Sequence, residues 1–395
     1  MSWNKYDYFL FFLIALLAGG GIGGALTMPR VATIIFLPYL FNAISGIYNT
    51  RIHFLGAFFC FWFVYGIISI IWTSDPNEAL KQVVYYFIHF TYFLEIVSFA
   101  CRAKNPLKSI CFGWLIGFSM TAVISIWELI TDNHLSSSKF KSGAMYNAGG
   151  GHILVHRFCA ATFSNYNDYV TYLCCSFPFM LYLCATAKKC QYVLFVCIVM
   201  VFVFIGYNAS RGGLLAIVEM LCLFFLLKER IRLKNKILIL IAVIVALFAV
   251  DNTDVFSLVK IRLENTSSSN NIRLVVWSAA LDLWASTYYI GTGLGGMMTS
   301  MKDFSNHILI THNMFLEILV EFGFVIFVPF IFMLVRLFVR AFSLDNTKFC
   351  VIISTFVALP FISIINSGYL LSSYVYAFFS SLFVLAFNES AEYSC

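Results

Sequence analysis

Residues 311–335 read THNMFLEILVEFGFVIFVPFIFMLV, and the medium in which this stretch folds decides the rest. From Met314 to Val335 the charged residues are Glu317 and Glu321, with His312 just ahead of the apolar run. A helix in water could turn both carboxylates to solvent. A helix in lipid has no solvent to offer, and carboxylates kept there mark a function or a partner. Composition selects the second setting. Of 395 residues, 61% are hydrophobic, 11% are charged and 44 are Phe; soluble domains carry roughly a quarter charged residues. Apolar runs of about 17 to 25 residues, enough to cross a hydrocarbon core, recur along the chain.

The expected fold is an all-α polytopic integral membrane protein. Its spans fall at roughly 8–26, 31–48, 54–72, 83–100, 108–130, 168–187, 191–208, 212–227, 237–250, 314–339, 349–365 and 369–388, about twelve helices in all. The run ILILIAVIVALFAV (237–250) is the shortest. At 1.5 Å per residue it reaches about 21 Å and needs an extension or a thinner bilayer. Lys5 and Asp7 lead straight into the first span, with no cleavage site in view. Basic residues set the orientation. With the N-terminus cytoplasmic, fifteen Lys and Arg fall in short inside connections, the cluster KERIRLKNK (228–236) foremost, and ten are spread over longer outside loops. Both termini are therefore expected in the cytoplasm. The chain reads as one membrane-embedded domain, 1–395, with two long extracytoplasmic loops, 131–167 and 251–313. The second lies between spans nine and ten and carries short surface helices. The net charge of +6 follows from the inside bias and implies no nucleic-acid partner. The twelve cysteines fall mostly within spans and read as small apolar packing residues.

Within the second loop, NIRLVVWSAALDLWA (271–285) has helical periodicity, with Arg273, Trp277, Ala280, Leu281 and Trp284 on one face. A helix at the membrane surface with its tryptophans at the headgroups fits that pattern. GTGLGG (291–296) matches a dinucleotide fingerprint in letters only, since no buried strand precedes it; a backbone turn is the expected reading. His152 and His156 stand at i and i+4, but no third ligand accompanies them; His307 and His312 share no helical face. Arg211, in SRGGLLA, either snorkels at a helix end or holds an anion, with Gly212 and Gly213 allowing close backbone approach. Arg273 either lies over Trp277 or does the same. For His312 the alternative is a polar cap on span ten. The topology places all three on one side of the membrane, where two arginines and a histidine suit a diphosphate leaving group and a hydroxyl nucleophile. Glu317 and Glu321, one turn apart, are expected to face the bundle.

In order and spacing, SRGGLLA (210–216), Arg273 four residues before Trp277, GTGLGG and HNMFLEILVEFGF (312–324) resemble the O-antigen ligase and O-antigen polymerase superfamily. RFCAATFSNYNDYVTYL (157–173) resembles the family's upstream stretch, with Tyr166 where the family usually has proline. The motifs cover 157–325. The resemblance implies a metal-independent glycosyltransferase without a cofactor, in the bacterial inner membrane, with its active site facing the periplasm. Its donor would be a glycan on undecaprenyl diphosphate and its acceptor lipid A–core, as in a ligase. The alternative is a polymerase using a second lipid-linked glycan. By position Arg211 and Arg273 would bind the donor diphosphate and His312 would assist the acceptor hydroxyl, with Arg157, Arg30, Glu317 and Glu321 as weaker candidates. A flippase or transporter is the reading from another class; no half-to-half similarity in the sequence supports it.

Overall fold

The computed structural model describes residues 2–23, 26–48, 52–139, 145–147, 153–155, 157–187, 191–228, 266–305 and 310–387. These are overwhelmingly helical. Two small antiparallel ribbons, Gly21–Gly23 with Leu26–Thr27 and Met145–Asn147 with Ile153–Val155, are the sheet elements. The helices are α1 (Lys5–Ala15), α2 (Met28–Ala43), α3 (Ser45–Tyr48), α4 (His53–Ile68), α5 (Pro76–Ala100), α6 (Pro106–Thr131), α7 (Tyr166–Thr186), α8 (Gln191–Tyr207), α9 (Arg211–Leu227), α10 (Thr266–Ser286), α11 (Met297–Ser300), α12 (Met314–Ala341), α13 (Asn346–Ile362) and α14 (Ser373–Phe387).

Polar caps set where the apolar runs become helices. Asp75 accepts from the Glu78 amide, Asn165 from Asp168, Ser210 from Gly213, and Asp345 from Thr347 and Lys348. Each satisfies amide donors that the first helical turn leaves over. Proline at the first helical position opens α5 and α6, where the lost N–H costs nothing.

Eleven of the twelve expected spans fall on described helices; the run at 237–250 and the 228–236 cluster beyond Lys228 lie outside the described residues. Among the described residues, five helical segments, 53–71, 76–100, 106–131, 166–186 and 314–341, are long and apolar enough to cross a membrane. Besides α5, which begins at Pro76 rather than near 83, three departures from the expected spans bear on the architecture. The first span stops at Gly19, because Gly20 at φ 68° turns the chain into the ribbon. The last begins at Ser373, after a 3-10 turn over Tyr369–Leu371. The span at 314–341 is not continuous: Gly323, at φ 62° and ψ −166°, breaks it. Only glycine sits readily at those angles.

The bundle packs around fully buried aromatic side chains, among them Trp114, Tyr92, Tyr172, Phe93 and Phe322. α9 lies along α13, and α1 along α6. Gly212 and Gly213 serve this packing: a Cβ on Gly212 would meet Ile365 at 3.3 Å, and one on Gly213 would meet Val170 at 2.5 Å. Their small size brings α9 against α13 and α7.

Candidate active site

Three segments are stitched together at one end of the bundle. They are α10, the approach to α12 at 311–314, and the loop after α13 at 363–372. Trp277 Nε1 donates to the Thr311 carbonyl at 2.7 Å, and the Met314 amide to Ser363 at 3.0 Å. Arg273 Nη1 donates to the Ile364 carbonyl at 3.2 Å. Arg273 therefore turns toward the 363–372 loop, and Trp277, the ring expected to stack under it, ties down the residue before His312. The buried face of α10 is Val276, Ala279, Ala280 and Leu283, packed on Met297, Met301 and Val320. Leu281, expected to share a face with Arg273 and Trp277, is exposed, and Leu274 lies exposed on the same side two turns earlier.

Arg211 opens α9 beside α13, and its charge acts on Arg273. Burial and then Arg211 lower the Arg273 pKa, opposed by the phenols of Tyr369 and Tyr166. An arginine stays protonated through such a shift, so the site concentrates positive charge in a partly desolvated place. Arg273 in turn acts on His312. Burial first, then the Arg273 charge, hold the imidazole below its ordinary value, with a backbone hydrogen bond at Asn366 opposing them.

His312 is not the helix cap. Asn313 is: its side chain accepts from the Phe315 and Leu316 amides at 3.0 and 3.3 Å. His312 instead sits at φ 48°, a left-handed conformation that residues other than glycine rarely adopt, and its Nδ1 is buried with no hydrogen-bond partner among the described residues. A strained backbone carrying an unsatisfied polar atom needs an explanation, and a reacting group supplies one.

The two carboxylates of α12 hold backbone. Glu317 accepts from the Gly368 and Tyr369 amides at 2.9 and 3.0 Å, fixing the loop that faces Arg273 and His312. Glu321 accepts from the Gly295 amide at 2.5 Å. The glycine loop at 291–296 thus docks on the break in α12, where the Thr292 and Gly293 amides also take the carbonyls of Val320 and Glu321. Gly291, Gly293 and Gly295 all have positive φ, and Cβ atoms on Gly291 and Gly293 would meet backbone at 2.6 and 2.5 Å. GTGLGG is a docking turn. Among the weaker candidates, Arg157 caps the end of α6, donating to the Leu129 and Ile130 carbonyls at 2.7 and 2.9 Å. Arg30 lies over the Tyr85 ring at 4.2 Å and donates to Leu371 at 3.4 Å, in a neighbouring cleft. His152, His156 and His307 lie outside the described residues.

Sequence reasoning missed the wall opposite His312. Asn366 donates to Asp168 and, at 3.0 Å, to the Tyr374 hydroxyl; Tyr374 also donates to Asp168 at 3.1 Å. The signal was present in INSGYLLSSY (365–374), a polar turn with glycine between two apolar runs, which reads as a plain connection unless its neighbours are known.

Residues 194–331 match the family model described as O-antigen ligase, a segment containing Arg211, Arg273 and His312. The teichuronic acid biosynthesis protein TuaE of Bacillus subtilis (strain 168) is 24% identical over 287 residues, covering 67% of this chain. The chain spans 56% of the length of that relative. Both matches support a resemblance to the O-antigen ligase/polymerase superfamily.

Proposed function

We propose that this membrane protein of the O-antigen ligase/polymerase superfamily transfers a glycan from a polyprenyl diphosphate to a sugar hydroxyl, at the outer face of the bacterial inner membrane. One arrangement carries the reading: Arg273, two turns into α10, lies near enough to Arg211 at the start of α9 and to His312 ahead of α12 for their charges to act on one another, while Asn313 relieves His312 of capping. In the transfer, the acceptor oxygen bonds to the anomeric carbon as the bond from that carbon to the diphosphate oxygen breaks. The acceptor proton passes to His312, and Nδ1, the nitrogen without a partner among the described residues, is the one to take it. Charge builds on the departing diphosphate, and two guanidiniums with fixed forks of donors stabilise it. Glu317 contributes by positioning, since it holds the 363–372 loop on which Asn366 and Ile364 meet His312 and Arg273. Every group in this scheme belongs to the chain, and no step calls on a metal or nucleotide.

A ligase, delivering the glycan to lipid A–core, is the first form of the proposal, in line with the description of the matching family. A polymerase, with a second lipid-linked glycan as acceptor, is the other. It is favoured by the relative, whose name places it in the making of a polysaccharide. Deleting the gene and resolving surface polysaccharide on a gel tests both. Loss of the lipid A-linked ladder with lipid-linked polymer accumulating is the ligase result. A single repeat on the acceptor is the polymerase result. An unchanged ladder overturns the proposal.

A further inference from the structure

The loop wall that faces His312 has a second side. Behind Asp168 and Tyr374 an open cleft of about 490 Å³ runs between the turn at 20–30, the segments 136–137 and 162–168, and residues 371–374. Its lining suits neither a lipid tail nor a diphosphate. Eight of its sixteen residues carry hydroxyls, and it holds one guanidinium, Arg30, and one carboxylate, Asp168. Two of those hydroxyls, Thr27 and Thr162, are buried without a hydrogen-bond partner among the described residues, and Thr162 is only 9% exposed. A buried hydroxyl lacking a partner is costly unless something else supplies one. The chain also closes tightly around the cleft: a Cβ on Gly20, at φ 68°, would meet the Thr162 carbonyl at 2.7 Å.

We infer that this cleft is a saccharide subsite, seating a sugar ring of the glycan next to the reaction centre. A sugar presents many hydroxyls at close spacing, each able to donate and accept, which is what a wall of serines and threonines pairs with. Phe163, partly exposed in the lining, offers a flat face to the apolar side of a ring. Asp168 accepts from Ser164 at 2.9 Å and from Asn366, whose backbone bonds His312. One carboxylate therefore joins the cleft to the proposed base, and a ring bound there presents its neighbouring hydroxyl or anomeric carbon to the centre. The inference rests on the glycan-transfer reading and adds to it the place where the sugar is held. It leaves the same ring chemistry with two sources, the donor glycan or the acceptor.

Two variants of the full-length enzyme test it in detergent, with lipid-linked glycan extracted from producing cells as donor probe. Thr162→Val removes a hydroxyl without a hydrogen-bond partner among the described residues, so the melting temperature should hold. Ser137→Phe fills the cleft from an outer loop. Each should raise KM about five- to tenfold, the scale of one lost hydrogen bond, with a smaller change in kcat. A rise in donor KM places the donor sugar in the cleft, and a rise in acceptor KM places the acceptor there. Where both substrates are one compound, the donor arm uses glycan whose acceptor-end hydroxyl is methylated. Unchanged KM values in both variants, with Arg211→Lys still losing transfer, overturn the subsite and leave the transfer reading intact. Wild-type transfer by Arg211→Lys and His312→Asn as well would remove the reading beneath it.

Discussion

Two carboxylates one turn apart on α12 each hold a loop, and the two loops differ in what they leave open. On the Glu321 side, the amides of Thr292, Gly293 and Gly295 are bound by α12. The carbonyls of Gly291, Leu294 and Gly296 accept from Trp72, Thr73 and Ser74. That loop is buried from Gly291 to Met297, and its polar groups are spent on the fold. On the Glu317 side the loop amides at 368 and 369 are bound just as firmly, yet the same loop faces two arginines and a histidine nitrogen with no partner among the described residues. Depth in the bundle is similar; the accounting of hydrogen bonds is not. A loop whose own polar groups are all bound serves the fold, and an unbound nitrogen beside two guanidiniums is a candidate for chemistry.

The sharpest way to break this contrast is at His312. We expect His312→Asn to lower transfer by about 10²-fold or more, the scale of a lost general base, with expression and insertion preserved. Asparagine is chosen because it tolerates left-handed backbone better than other residues, so the φ of 48° is kept. Wild-type turnover, measured with purified protein and lipid-linked donor, would make His312 part of the scaffold. Next in size are Arg211→Lys and Arg273→Lys. Each keeps the charge but loses the planar fork, and each should cost about 10- to 100-fold in kcat/KM, the range of charged hydrogen bonds. Near-normal transfer by both would return them to anchoring the helix ends.

Much of this was legible in the sequence. Composition gave the membrane class, and eleven of twelve spans fall on helices, because burial in lipid demands long apolar runs that nothing else explains. Arg211, Arg273 and His312 were visible as polar residues expected on one side of the membrane, and Glu317 and Glu321 as carboxylates where carboxylates are costly. The partners of Glu317 and Glu321 were not. Each carboxylate binds amides brought by a loop, one 26 and the other 51 positions away, and hydropathy carries no trace of such pairing. The break at Gly323 was hidden for a similar reason. Glycine within an apolar run reads as tolerated until the carbonyls that displace its helix are seen. Asp168 and Asn366 were missed because 198 residues separate them.

The scaffold side of the comparison is tested at that break. Gly323→Ala places a Cβ against the backbone of Tyr289 and Ile290 at angles only glycine accepts, a strain of roughly 1–3 kcal/mol. The expected outcome is a lower melting temperature in detergent and less folded protein. The protein that does fold should turn over normally, because the 363–372 loop hangs on Glu317. A variant that melts like wild type but transfers poorly would place the glycine loop in the site.

The smallest effect is the most specific, since it measures whether Arg273 and His312 sense each other. Burial and the Arg273 charge both disfavour protonated His312, so its pKa lies below the ordinary value, which is about 6.5. A base acts in its neutral form. Activity should therefore be full at neutral pH and fall only as the pH drops through that lowered pKa, giving an acid limb in kcat/KM below about 6.5. Removing the arginine charge takes away one of the two lowering causes. In Arg273→Gln, whose residual activity is small but measurable, the limb should move upward, toward the ordinary histidine value. Burial remains, so the limb should stop short of it. Arg157→Gln, at the end of α6, should leave the limb where it was, because that guanidinium serves the Leu129 and Ile130 carbonyls. A limb that stays put in Arg273→Gln, or that moves equally in Arg157→Gln, would mean that the group titrating in the transfer is not His312 beside Arg273.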